Sequence, residues 1–125
     1  MATVLTNTGK AVTTNRVKNG ATGATEPNYL HWGTGAGTAA ITDTTLFTAS
    51  AESRVAGTST QQTTTTTNDT YQVVGTLTAA SGQTITNAGL FDAVTAGNLY
   101  VKGDFTGIPL SINDAIQFTV KCQYS

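Results

Sequence analysis

The stretch Ala115-Ile116-Gln117-Phe118-Thr119-Val120-Lys121-Cys122-Gln123-Tyr124 decides the fold, because Ile116, Phe118, Val120, Cys122 and Tyr124 alternate with Gln117, Thr119, Lys121 and Gln123. A period of two puts every apolar side chain on one face of an extended backbone and every polar one on the other, so this is a half-buried β-strand. Asn113-Asp114 supplies the turn before it. Ile108-Pro109-Leu110 reads as a short extended piece, which Pro109 restricts to a sheet edge or a strand start because it lacks a backbone donor.

Working towards the N-terminus, Leu99 to Phe105 is a further strand. It is separated from another, Ile85 to Phe91, by Asp92 to Asn98, which has the length of a hairpin loop. Tyr71 to Ala79 alternates again, with Tyr71, Val73 and Leu77 on one face, and Ser81-Gly82 ends it. A strand every 10 to 12 residues or so is what an antiparallel sandwich or barrel requires. Glu52 to Gln62 reads as one more strand, and the homopolymer Thr63 to Thr67 is expected to be extended because its β-branched side chains are stiff. Arg54 to Thr60 is expected to pair with Thr64 to Leu77, with the hinge near Gln61 or Asn68.

The first third is less regular. Thr6-Asn7-Thr8 can cap a short helix over Gly9 to Lys18, stopped by Asn19-Gly20. Gly20 to Asn28 is a loop, Tyr29-Leu30-His31-Trp32 a short extended aromatic piece, and Gly33 to Ala40 a glycine-rich bend. Leu46 and Phe47 are placed to anchor a loop that returns to the core. The expectation is one all-β domain over residues 1–125, an antiparallel two-sheet β-sandwich. Residues 1–28 serve as an N-terminal arm, short helix and loop, and 29–125 as the sandwich core.

Composition narrows the function. Charged residues are 10% and hydrophobic ones 38% of the 125-residue chain, and threonine supplies roughly a fifth. Threonine suits a strand whose open face meets water or another protein. With six Lys plus Arg against seven Asp plus Glu, scattered singly, nucleic acid is an unfavoured partner, because no face is cationic enough to displace counterions. No apolar run reaches the ~20 residues that cross a bilayer, and Met1 to Leu5 lacks the pattern of a signal peptide, so the chain is expected to be soluble. A surface with so few charges suits a protein covered by neighbours.

The residues that carry chemistry are sparse. His31 is the single histidine and Cys122 the single cysteine. His31, between Leu30 and Trp32, is read as structural, and Cys122, on the apolar face of the last strand, as a neutral core thiol. Asp43, Asp69, Asp92, Asp104 and Asp114 fall at expected turns, where an Asp side chain closes local backbone hydrogen bonds. No zinc or EF-hand spacing occurs, and Gly33-Thr34-Gly35-Ala36-Gly37 lacks the rest of a phosphate loop. No catalytic residue, cofactor or metal is therefore expected. The candidate residues are those of a protein interface. They are Tyr29 and Trp32 as aromatic anchors with His31 between them, and Val4 and Leu5 in an N-terminal arm, Met1 to Thr8, able to add as a strand to a sheet edge. The alternative for Tyr29 and Trp32 is that both plug the end of the sandwich.

Several segments together are familiar: Leu5-Thr6-Asn7-Thr8-Gly9, Glu26 to Gly35, Thr42 to Phe47, and Thr84 to Asp92 with Gly97-Asn98-Leu99-Tyr100 after it. They resemble small structural proteins of tailed bacteriophages, and within that group capsid cement, or decoration, proteins. The resemblance implies a jelly-roll-like sandwich on the outer capsid surface of the virion. Such a protein binds the major capsid protein as a homo-oligomer, a dimer or trimer, and stabilises the expanded shell. The Leu-Thr-Asn-x-Gly opening and the Ala-Gly-Leu-Phe-Asp hairpin are also similar to N-terminal modules of tail fibres that attach to a baseplate, which makes a tail or baseplate component the alternative.

Overall fold

The computed structural model describes residues 2–125. In chain order the elements are β1 (Thr3–Leu5), α1 (Asn7–Asn19), β2 (Tyr29–Gly33), β3 (Val55–Ala56), β4 (Thr58–Gln62), β5 (Thr70–Thr78), β6 (Gln83–Phe91), β7 (Leu99–Leu110) and β8 (Ala115–Gln123). All strand pairs are antiparallel. They form a five-stranded sheet in the order β1-β7-β6-β2-β3 and a three-stranded sheet in the order β4-β5-β8. The chain is an all-β sandwich with a single α-helix among the described residues.

Two hairpin-like pairs are nested. β6 and β7 pair in the larger sheet, while β5 before them and β8 after them pair in the smaller one. This nesting is the jelly-roll feature of the topology. Its driving force is visible in β5 and β8. Val73, Leu77 and Cys122 are buried, with Ile116, Phe118 and Val120 half-buried beside them, while Gln117, Thr119 and Lys121 face outward. The core closes around Trp32, Leu30, Ile85, Leu90 and Tyr100. Trp32 and Phe118 join the two sheets edge-to-face, with ring centroids 6.3 Å apart.

The chain changes sheets between β3 and β4, at Gly57. A Cβ there would lie 2.4 Å from Val73 Cγ1 and 2.9 Å from the Val74 carbonyl oxygen, so the corner admits only glycine without a shift. Arg54 to Thr60 is thus not one strand. Val55–Ala56 pairs with β2, and Thr58–Gln62 with β5.

Thr63 to Thr67 is not extended either. The Asp69 carboxylate accepts hydrogen bonds from the backbone N–H groups of Thr64, Thr65 and Thr66 at 2.9, 3.1 and 2.9 Å and rolls the run into a turn. Stiff χ1 angles do not hold a strand that has no partner, and a carboxylate collecting amides prevails over them. Ile108 to Leu110 is no separate piece: β7 runs through it, with Pro109 opposite Thr84. The other flank of β7 is covered by β1 only at Val101–Gly103, so Pro109 lies where no donor is required on that side.

The helix forms where its cap signals stand. Thr6 Oγ1 accepts from the Gly9 N–H at 2.9 Å, and the Gly20 N–H returns to the Arg16 carbonyl. It docks through buried Val12 and through Gly9, which sits against β7 at Tyr100. Thr3–Leu5 is not a free arm, because it pairs with Gly103–Val101 and completes the larger sheet. No helix among the described residues is long and apolar enough to cross a membrane.

Candidate interaction surface

The buried polar groups hold loops to the sandwich. Lys102, 2% exposed, directs its ammonium to Asp43 Oδ2 at 3.0 Å and to the Thr45 carbonyl at 2.8 Å, with the Phe47 ring centroid 3.2 Å away. This pins the segment before Phe47 across β7, so Leu46 and Phe47 do anchor a returning loop. Asn87 finishes the task from β6. Its side chain accepts from the Phe47 N–H at 3.0 Å and donates to the Phe47 carbonyl at 3.1 Å, as a neighbouring strand would. Arg54 lies over the Phe91 ring at 3.5 Å and donates to the carbonyl of Ala93 at 2.8 Å and to that of Ala96.

Glu52 gathers four donors: the Trp32 indole at 2.9 Å, the Ala80 N–H at 2.8 Å, the Gln83 amide and the Ser50 hydroxyl. Burial by itself raises this carboxyl, but the hydrogen bonds from Ser50, Trp32, Ala80 and Gln83 outweigh it and hold it at about 2. Asp69 is held well below the usual carboxylate range, above all by the backbone donors of its turn. Asp43, Asp92 and Asp114 serve turns as expected, accepting from the N–H groups of Ala40, Asn98 and Ser111. Asp104 departs from that expectation. It lies within β7 and accepts from Ala39 at 2.7 Å and Ala2 at 3.3 Å, fastening the bend and the N-terminus to the sheet.

His31 is 5% exposed, and burial lowers its pKa; one ring nitrogen reaches the Ser50 carbonyl at 3.1 Å. Burial pushes the Cys122 thiol up. Among the described residues no group of three or more His, Cys, Asp or Glu is placed to hold a metal ion.

Of the residues expected at an interface, Trp32 and His31 are turned inward. Trp32 is fully buried, since β2 lies inside the larger sheet between β6 and β3 and its successive side chains have protein on both faces. Trp32 packs inside the sandwich against Phe118, while His31, on the opposite face of β2, is covered by the segment at Ser50, so neither is presented at the surface. Tyr29 is half-buried against Leu46, Phe91 and Leu99. Val4 and Leu5 are half-buried in β1, committed to their own sheet instead of to a free arm.

Val4 and Leu5 nonetheless line a groove of about 440 Å³. The larger sheet has two strands more than the smaller, and the groove lies between β8 and the inner face of β1 and the adjoining part of β7. Leu5, Ala88 and Val101, which share one face of the larger sheet, line it together with Phe105, Phe118 and Val120. β8 borders it with one flank hydrogen-bonded to β5 and the other unpaired. Phe118 and Val120 were legible as part of an apolar strand face, whereas Phe105, on β7, was not assigned to one. Phe118 and Val120 are half-exposed because β8 is an edge of its sheet.

Comparison with known proteins gives a family. A family model described as Podophage GP4 fiber I protein gp80 matches residues 4–122, nearly the whole chain. No curated protein and no solved structure matches.

Proposed function

The chain belongs to the Podophage GP4 fiber I protein gp80 family, which makes it a structural protein of a tailed-phage virion, and from that premise we propose that its station is the tail, as a fibre-type component bound to other virion proteins. The family match over residues 4–122 is the observation that carries this reading. It favours the tail-fibre alternative over a cement protein on the outer capsid surface, because the family is described by a fibre and not by the shell.

The structure supports a role made of contacts. Buried Lys102 and half-buried Glu52 fasten loops to the sandwich. Its exterior carries few charges, so covering it with another protein strips little hydration from ions. Quantitative mass spectrometry of purified particles tests the reading. A copy number matching tail proteins, and far below that of the major capsid protein, supports it; a number comparable with the capsid subunit overturns it and restores the cement reading.

A further inference from the structure

We propose that the free edge of β8 is the site at which two copies of this chain associate, as an antiparallel β8–β8 pair about a twofold axis through Thr119. The smaller sheet would become a continuous six-stranded sheet, and each groove would receive the rim of the other copy.

Three observations converge on this edge. First, β8 is long and regular: all nine of its residues pair with β5 in an unbroken register. Its other flank is unpaired. The remaining free flanks are guarded, that of β7 beyond β1 by Pro109. β1 has three residues and β3 two, and β4 stops after five at the threonine turn. An edge strand without proline, bulge or inward-facing charge invites another strand.

Second, the sandwich lacks cover at this place. The groove beside β8 is open along Leu5, Val101, Phe105, Phe118 and Val120, where a fourth strand of the smaller sheet would lie. A strand added to β8 turns one face towards that groove, so backbone hydrogen bonds and apolar burial would form together.

Third, β8 is complementary to itself, which commits the occupant to a second copy. About a centre at Thr119, residues equally far before and after it meet. On the inner face Phe118 meets Val120 and Ile116 meets Cys122, aromatic–aliphatic and aliphatic–thiol pairs. On the outer face Thr119 meets Thr119, and Gln117 meets Lys121. Aromatic–β-branched and Thr–Thr pairs are among the favourable cross-strand combinations. The strand's single charge, Lys121, meets a neutral amide acceptor and never its own copy. An isologous contact requires such a match, in which one patch serves both partners.

Sedimentation equilibrium of the full chain tests the proposal with two variants on the solvent face of β8. The wild type is expected to show a reversible, concentration-dependent monomer–dimer equilibrium. Thr119→Lys sets two like charges against each other on the axis and is expected to weaken the dimer by about tenfold or more at low salt, with circular dichroism unchanged. Gln117→Glu sets Glu opposite Lys121 twice and is expected to tighten it at low salt, an effect that fades at high salt. Three results overturn the proposal: a wild type that stays monomeric over the whole concentration range, a dimer indifferent to Thr119→Lys, or a dimer weakened by Gln117→Glu.

Discussion

The indole N–H of Trp32 donates to Glu52 Oε1 at 2.9 Å, so the largest side chain of the core has its polar atom satisfied inside the fold. The pair ties β2 to the segment that leads into β3. The same carboxylate holds Ser50, Ala80 and Gln83, so one acid fastens the start of β6 as well.

Stability is therefore expected to depend on acid through Glu52. Its value in the folded chain, about 2, lies below the ordinary 4.5, so the group favours the native state in full above about 4.5. That contribution is lost as pH falls through the interval towards about 2. Urea unfolding at a series of pH values should show a loss across that window which is smaller in Glu52→Gln. At pH 7 the variant should be about 1–3 kcal/mol less stable, because four donors lose a charged acceptor.

The Lys102–Asp43 pair should respond asymmetrically. The Lys102 side chain is 1% exposed and that of Asp43 21% exposed. Removing the acid leaves an ammonium in the interior with a carbonyl and a ring for company, whereas removing the lysine leaves a carboxylate that water reaches. Asp43→Ala is expected to cost about 3 kcal/mol and Lys102→Met about 1 kcal/mol or less in chemical denaturation. Equal costs would show that the buried charge does not set the energetics of this clamp.

Gly9 inverts a helix-propensity rule. Alanine is the better helix former by about 1 kcal/mol, but a Cβ at Gly9 would lie 2.1 Å from the Tyr100 carbonyl oxygen. Gly9→Ala should therefore destabilise the protein, by about 1–3 kcal/mol, because the helix must lift off β7. Thermal melting decides the sign.

Thr6 joins both structures at the N-terminus. Besides capping the helix it donates to the Leu99 carbonyl at 2.6 Å, and it is fully buried. Thr6→Ala should cost about 1–3 kcal/mol, and Thr6→Ser, which keeps the hydroxyl, clearly less. Deleting residues 1–8 should lower the melting temperature of the isolated chain, since β1 and this cap go with them; an unchanged melting temperature would restore the free-arm reading.

Strict alternation made β5 and β8 legible in the sequence, the spacing of turns made β6 and the first part of β7 legible, and the caps did the same for the helix, whereas the continuation of β7 to Leu110 was read as a separate piece. Sandwich class and phage kinship were legible with them. The threonine run misled because β-branching speaks of side-chain stiffness, while the turn is fixed by Asp69, a residue outside the run. Trp32 looked like a surface anchor because glycines flank its segment, yet burial depends on which strands lie beside it, and β6 is far away in the chain. Lys102 and Glu52 carried no sequence signal, since their partners Asp43 and Trp32 lie 59 and 20 residues distant. The groove was equally hidden. It arises from the unequal strand numbers of the two sheets, which no local pattern encodes.

Cryo-electron microscopy of virions with and without this protein tests the proposed station most directly. Difference density sized and shaped as an eight-stranded sandwich, confined to the tail and its fibres, is the predicted result. Difference density tiling the capsid faces, with the tail unaltered, would contradict it.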